Sequence, residues 1–254
     1  MSRPVKIVLV YQSLLGIYGD RGNAMVLAKR LEWRGIDSRL VIVEPGQPVP
    51  EDGAVYLLGG GEDLAQVTAV RELRRDGGLQ RALASGACLF AVCAGYQICG
   101  TSFTVGDDDE VVEGLGLLDV STRRGPHRAV GEILSHWTTP EGEDYPITGF
   151  ENHGGYTVLG SDARPLARIE LGVGNCGDGT EGAVQGRVVG SYPHGPNLAR
   201  NPRFADWLLE LAMGRSLEPL DQPVLDAELA ELRRQRLKVA RAARNLAEET
   251  RWLG

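Results

Sequence analysis

Ala87-Cys88-Leu89-Phe90-Ala91-Val92-Cys93-Ala94-Gly95-Tyr96-Gln97 runs from six small or apolar residues into a cysteine, then into small residues that open a helix. A short strand buried on both faces and followed at once by a tight turn into a helix is the layout of a nucleophile elbow. Such a turn holds its reactive residue in a strained backbone conformation, at a cost on the order of 1–3 kcal/mol. Only small neighbours, here Ala91 and Gly95, let the chain turn that tightly. Buried strand cysteines are also common as plain core residues, and Cys88 reads as one. Cys93 reads as the candidate nucleophile: the helix N-terminus beneath it favours a thiolate, and the Ala94 N–H is placed to serve one side of an oxyanion hole.

Outward from this stretch, strand and helix patterns alternate through the first hundred residues. Lys6–Tyr11, Ser38–Val43 and Ala54–Leu58 are rich in β-formers and largely apolar, as strands of a parallel sheet are. Asp20–Trp33 has helical spacing of Met25, Val26, Ala28, Leu31 and Trp33. Glu62–Leu83 is helical, with a break expected at Asp76-Gly77-Gly78. The alternation predicts an α/β fold, a mostly parallel sheet with helices on both faces. From Gly114 to Ser191 the pattern becomes short strands between glycine-rich turns. Helix returns at Asn201–Met213 and again, after Pro219 and Pro223, at Asp226–Glu249. This last helix carries Leu225, Leu229, Leu232 and Val239 as an apolar stripe beside an arginine-rich middle. It reads either as a solvated surface helix or as a partner-docking element.

Composition narrows the function. Of 254 residues, 43% are hydrophobic and 24% charged, with a formal net charge of −7. That balance disfavours nucleic acid and anionic membrane surfaces as partners, which need clustered positive charge. The longest apolar run, Ala87–Tyr96, falls short of the roughly 18–20 residues of a membrane span. The N-terminus leads directly into a strand rather than a signal peptide, so a cytoplasmic protein is expected. The four cysteines, Cys88, Cys93, Cys99 and Cys176, lack the paired spacing of a zinc site.

Leu57-Leu58-Gly59-Gly60-Gly61-Glu62-Asp63 sets three glycines directly after a buried strand, where ligand loops gather in α/β sheets. Gly60 is the candidate for the second oxyanion donor; a phosphate cradle would need the lysine and hydroxyl of a P-loop, and both are missing. The base must be a histidine, and there are four. His194, in Ser191-Tyr192-Pro193-His194-Gly195-Pro196, and His153, in Glu151-Asn152-His153-Gly154-Gly155, are the two candidates. Spacing does not choose between them. His127 and His136 read as surface or structural residues.

Taken in order, the elbow with Gln97, the triple-glycine loop, the Glu151–Gly155 block and Tyr192–Pro196 resemble class I glutamine amidotransferases of the cobyric-acid-synthase-like type. Within that family the chain looks most similar to the glutaminase subunits of lipid II isoglutaminyl synthases. The match spans roughly residues 5–215, implying an amidotransferase domain of flavodoxin-like fold over 1–220 and a C-terminal helical extension over 221–254. The resemblance implies that Cys93 is the nucleophile and His194 the base, that Arg128 selects the α-carboxylate of glutamine, and that Gln97 contacts the substrate. Many family members place a glutamate two residues after the histidine; here that position is Pro196. The third catalytic group is therefore unassigned, with Glu151 or a backbone carbonyl as candidates for orienting His194.

Amide synthesis from a carboxylate needs activation, and no nucleotide motif is visible. By the resemblance this chain needs no cofactor of its own. ATP and Mg²⁺ are expected on a separate Mur-ligase-like synthetase of the MurT type, paired with this chain as a heterodimer. The function implied is hydrolysis of glutamine and delivery of ammonia for amidating the D-glutamate α-carboxyl of the lipid II stem peptide. The alternatives are an amidotransferase for a corrinoid or other cofactor precursor, and a stand-alone Cys–His γ-glutamyl hydrolase.

Overall fold

The structure is a computed structural model that describes residues 3–17 and 19–251, with side chains as far as residue 242. In chain order the elements are β1 (Val5–Val10), α1 (Arg21–Glu32), β2 (Ser38–Val43), β3 (Val55–Leu58), α2 (Asp63–Asp76), α3 (Gly78–Ala84), β4 (Cys88–Val92), α4 (Ala94–Cys99), β5 (Ser102–Val105), β6 (Glu110–Glu113), β7 (Val120–Thr138), β8 (Asp144–Leu159), β9 (Ala167–Leu171), β10 (Thr180–Glu181), β11 (Ala183–Gln185), β12 (Val188–Ser191), α5 (Asn197–Arg200), α6 (Pro202–Met213) and α7 (Pro223–Arg251).

Six strands form the central sheet in the order β11-β12-β4-β3-β1-β2. All pairings are parallel except β11 with β12. The expected parallel α/β sheet is therefore present, and the helix break falls at Gly77, a left-handed residue between α2 and α3. β3 and β4 are buried along their whole length, which explains their unbroken apolar character. The carboxyl ends of β12, β4, β3 and β1, four adjacent strands, open toward one crevice. Each hands a functional loop to it, as ligand sites in such sheets require.

The second half departs from the sequence pattern. β7 and β8 form one long antiparallel hairpin, 19 and 16 residues, rather than a series of short strands. Several glycines that suggested turns lie inside these strands. At Gly155 a Cβ would stand 2.4 Å from Gln97 Nε2, so the residue is small because the elbow helix packs against it. β9 and β5 flank β7, and β10 and β6 complete this second sheet.

α6 closes the core with Phe204, whose ring lies edge-on to Phe90 of β4 at 5.6 Å and to Trp137 of β7 at 5.5 Å. A buried Arg30–Asp206 pair, two parallel hydrogen bonds of 2.6 and 2.5 Å, ties α1 to α6. The stripe expected on α7 is corrected. Leu225, Leu229, Arg233 and Leu237 form the half-buried seam, whereas Val239 is exposed. The seam follows the i, i+4 row, and Arg233 joins it by lying over the Tyr145 ring at 5.5 Å. Arg236 faces Glu132 and Arg241 pairs with Glu170, so part of the arginine-rich face is docked on the chain's own second sheet. Among the described residues no helix is long and apolar enough to cross a membrane.

Glu181 of β10 is fully buried and accepts hydrogen bonds from the Tyr192 N–H at 2.8 Å and the Ser191 hydroxyl at 3.2 Å. Burial raises its pKa from 4.5 to about 7, against the lowering pull of those two donors and with nearby Glu151 pushing further upward. Between the two values the unfolded chain binds fewer protons than the folded one. The stability from this group is thus complete below about pH 4.5 and lost as pH rises through 7, amounting to about 3 kcal/mol. Glu181→Gln, neutral at every pH, is expected to match the wild type near pH 5 and to be more stable by up to that amount at pH 8. Denaturant unfolding at both pH values checks this; equal stabilities at pH 8 would mean Glu181 ionises at no cost.

Candidate functional site

Cys93 sits between β4 and α4 with φ 52° and ψ −108°, the strained conformation expected of an elbow. Close packing imposes it. A Cβ on Gly95 would come within 2.8 Å of both the Cβ and the carbonyl oxygen of Leu58. The Gly95 N–H instead donates to the Gly59 carbonyl at 3.0 Å, locking the elbow to the triple-glycine loop. Ala94 is the first residue of α4, so its N–H has no partner within the helix. The thiol is nearly buried and lies 3.9 Å from the Asn152 carbonyl. Cys88, by contrast, is a core residue whose pKa burial pushes up to about 12, as its position in the strand suggested.

His194 follows β12, the strand next to β4. Its backbone is pinned to β8 by two hydrogen bonds with Phe150, 2.9 and 3.1 Å. The imidazole is buried, which disfavours its charge. Hydrogen bonds to Asp20 and Cys93 outweigh that burial, and the pKa rises to about 10. An imidazolium beside the sulfur is the setting in which a cysteine acts as a thiolate. His153 is placed differently: its ring stacks on Tyr192 at 3.7 Å, and Nδ1 lies 2.9 Å from the Gly155 carbonyl. It lines the cavity wall, whereas His194 is the histidine coupled to Cys93.

Glu151, a candidate for orienting His194, has another task. Its carboxylate accepts the Val173 and Gly174 N–H groups at 2.8 and 3.0 Å and lies 3.5 Å from His153. The carboxylate beside His194 is Asp20, at 3.4 Å from Nδ1. Asp20 also occupies the Gly60 N–H, at 2.7 Å. Gly60 in this conformation therefore points its donor at Asp20, and Gly61 is the loop glycine that lines the cavity. Sequence reading missed Asp20 because 174 residues separate it from His194 and it stands in an unremarkable helix-start position.

The cavity above Cys93 has a volume of about 400 Å³. Arg128 enters it from a bulge in β7, where the pairing with β8 slips between Arg124 and Ala129. Its Nε donates to Asn152 Oδ1 at 2.8 Å, which steers the guanidinium. Gln97 also lines the cavity, but its amide is held on both sides. Oε1 accepts from Gln66 at 2.7 Å and Nε2 donates to the Tyr192 hydroxyl at 3.3 Å. Gln97 is thus placed to shape the wall. His127 is exposed, and His136 lies half-buried at the surface between Asp144 and Glu170.

Residues 6–202, which carry every residue of this constellation, match the CobB/CobQ-like glutamine amidotransferase domain. The chain belongs to that family. Among its relatives is the glutamine-hydrolysing lipid II isoglutaminyl synthase subunit GatD of Staphylococcus aureus, 34% identical over 91% of this chain and 93% of the relative. The GatD subunit of Streptococcus pneumoniae is 31% identical over 89% of each chain. A cobyric acid synthase from Sphingopyxis alaskensis is 36% identical over 67% of this chain but only 34% of its own length. The glutamine amidotransferase fold is shared with a solved glutamine amidotransferase (TM-score 0.54, 23% identity, 82% of this chain and 99% of that one). It is shared equally with PurLQS from Thermotoga maritima (TM-score 0.57, 17% identity, 84% and 99%).

Proposed function

We propose that this glutamine amidotransferase is the glutaminase subunit of a lipid II isoglutaminyl synthase, with Cys93 as nucleophile and His194 as proton carrier. The observation that carries the chemistry is the strained Cys93 at the elbow, electrostatically coupled to a histidine delivered by the adjacent parallel strand. Sγ attacks the side-chain amide carbon of glutamine. The resulting oxyanion is held by the Ala94 N–H. His194 gives its proton to the amide nitrogen, the C–N bond breaks and ammonia leaves. The same imidazole then takes a proton from water, which attacks the thioester and releases glutamate.

Charges of both signs line the cavity, Arg124 and Arg128 against Glu62, Asp63 and Asp107. That suits a free zwitterionic amino acid, with Arg128 as the partner of its α-carboxylate. Gln97 is assigned to the substrate wall. The acceptor rests on the two GatD relatives, which match nearly end to end, whereas the cobyric acid synthases match over a third of their length. In this reading a cytoplasmic Mur-ligase-like subunit of the MurT type binds ATP and Mg²⁺, activates the D-glutamate α-carboxyl of the stem peptide and receives the ammonia.

The test is purification of the tagged chain from its native cell, followed by assay of whatever co-purifies. A Mur-ligase-like ATPase in equal amount that amidates lipid II with glutamine and ATP is the expected result; a different synthetase moves the chemistry to another acceptor. In the recovered complex, Arg128→Ala is expected to raise the glutamine concentration needed by about 10–100-fold, the worth of a charge-assisted pair. Amidation driven by added ammonia should not change.

A further inference from the structure

An aspartate at a helix N-cap normally turns its carboxylate onto the N–H groups of the first turn. Asp20 stands at the N-cap of α1 and makes no such side-chain bond. Only its backbone carbonyl caps the helix, accepting the Asn23 N–H at 2.9 Å. The carboxylate is instead buried, with the residue 3% exposed, and points into the crevice. There one oxygen lies 3.4 Å from His194 Nδ1 and the other accepts the Gly60 N–H at 2.7 Å. Gly59 is part of the same fit, since a Cβ there would stand 2.9 Å from that of Asp20. A charged group that forgoes its local cap and accepts burial must be compensated by what it binds. What it binds is the base and the loop beside the nucleophile.

We propose that Asp20 is the positioning residue of this site, orienting His194 through Nδ1 and anchoring the triple-glycine loop through Gly60. The proposal rests on the Cys93–His194 reading above and supplies its third member. A carboxylate at Nδ1 fixes the proton there, so that Nε2 is the nitrogen that exchanges protons. It also favours the imidazolium that forms beside Cys93. The titratable groups acting on His194 are Cys93 from the elbow and Asp20 from the head of α1. Because one carboxylate holds both base and loop, movement of α1 or of the β1–α1 connection changes the two together.

The experiment measures alkylation of Cys93 by iodoacetamide from pH 5 to 10, read on the Cys93 peptide by mass spectrometry. It compares the full chain with Asp20→Asn, His194→Asn and the double variant. Asp20→Asn keeps an oxygen for Gly60 but presents its amide to Nδ1, forcing the proton onto Nε2. Its neutral-pH alkylation is expected to fall by at least about tenfold, with the profile moving toward that of His194→Asn. The double variant should be no slower than His194→Asn alone, since Asp20 acts through His194. In glutamine hydrolysis kcat should fall while KM changes less than about twofold, because Asp20 is not a cavity-lining residue. If Asp20→Asn lowers the melting temperature, Asp20→Ser replaces it, offering α1 a capping hydroxyl without a carboxylate. A wild-type profile in Asp20→Asn, or independent losses in the double variant, would overturn the proposal. If His194→Asn itself leaves the profile unchanged, the Cys93–His194 reading fails instead.

Discussion

Replacing Cys93 with alanine is expected to lower glutamine hydrolysis by at least about 10³-fold and to leave the melting temperature unchanged. The loss is that large because no other group in the cavity can form the thioester. Cys88 and Cys99 are sealed in the core and held as thiols by burial, and removal of a covalent nucleophile leaves only binding and oxyanion stabilisation. Stability is unaffected because alanine retains the Cβ and so carries the same cost at φ 52°. Steady-state ammonia release and a thermal melt of the same preparation check both halves. Retained hydrolysis would remove Cys93 from the mechanism outright.

The second large effect is expected at His194. His194→Asn should reduce hydrolysis by about 10²–10⁴-fold, the usual worth of a positioned acid–base group. If the proposed mechanism holds, both ammonia release and thioester hydrolysis should slow in this variant, since it assigns both proton transfers to the one imidazole. The pH dependence of stability gives an independent reading. The folded pKa of His194 is raised from 6.5 to about 10. Its stabilising contribution is therefore complete below about pH 6.5 and lost as pH rises through 10. The stability gap between wild type and His194→Asn should be widest at and below about pH 6.5, narrow through neutrality and close above pH 10. A gap that stays constant across this range would mean that the imidazole is held neutral.

Much of the site was legible because elbows carry a strong local signature. A buried strand, a cysteine and small residues around it leave few other readings, and the structure supplies the positive φ and the Leu58 contact that explain Gly95. The interior of the second half was less legible. Gly155 looks like a turn residue in one dimension and proves to be a strand residue beneath Gln97. On α7 the apolar letters suggested Leu232 and Val239, whereas an arginine stem over Tyr145 takes the seam position.

By itself the sequence determined the parallel sheet, the elbow and the cysteine, because strand periodicity and turn chemistry are properties of neighbouring residues. The tertiary structure alone decided which partners those residues find. It set His194 on the strand beside Cys93, turned His153 onto Tyr192, gave Glu151 to the β9–β10 loop, and brought Asp20 across from α1 to both His194 and Gly60. Strand order and helix packing bring Asp20 and His194 together across 174 residues of chain. No local pattern encodes that distance, since it emerges only when the sheet is assembled.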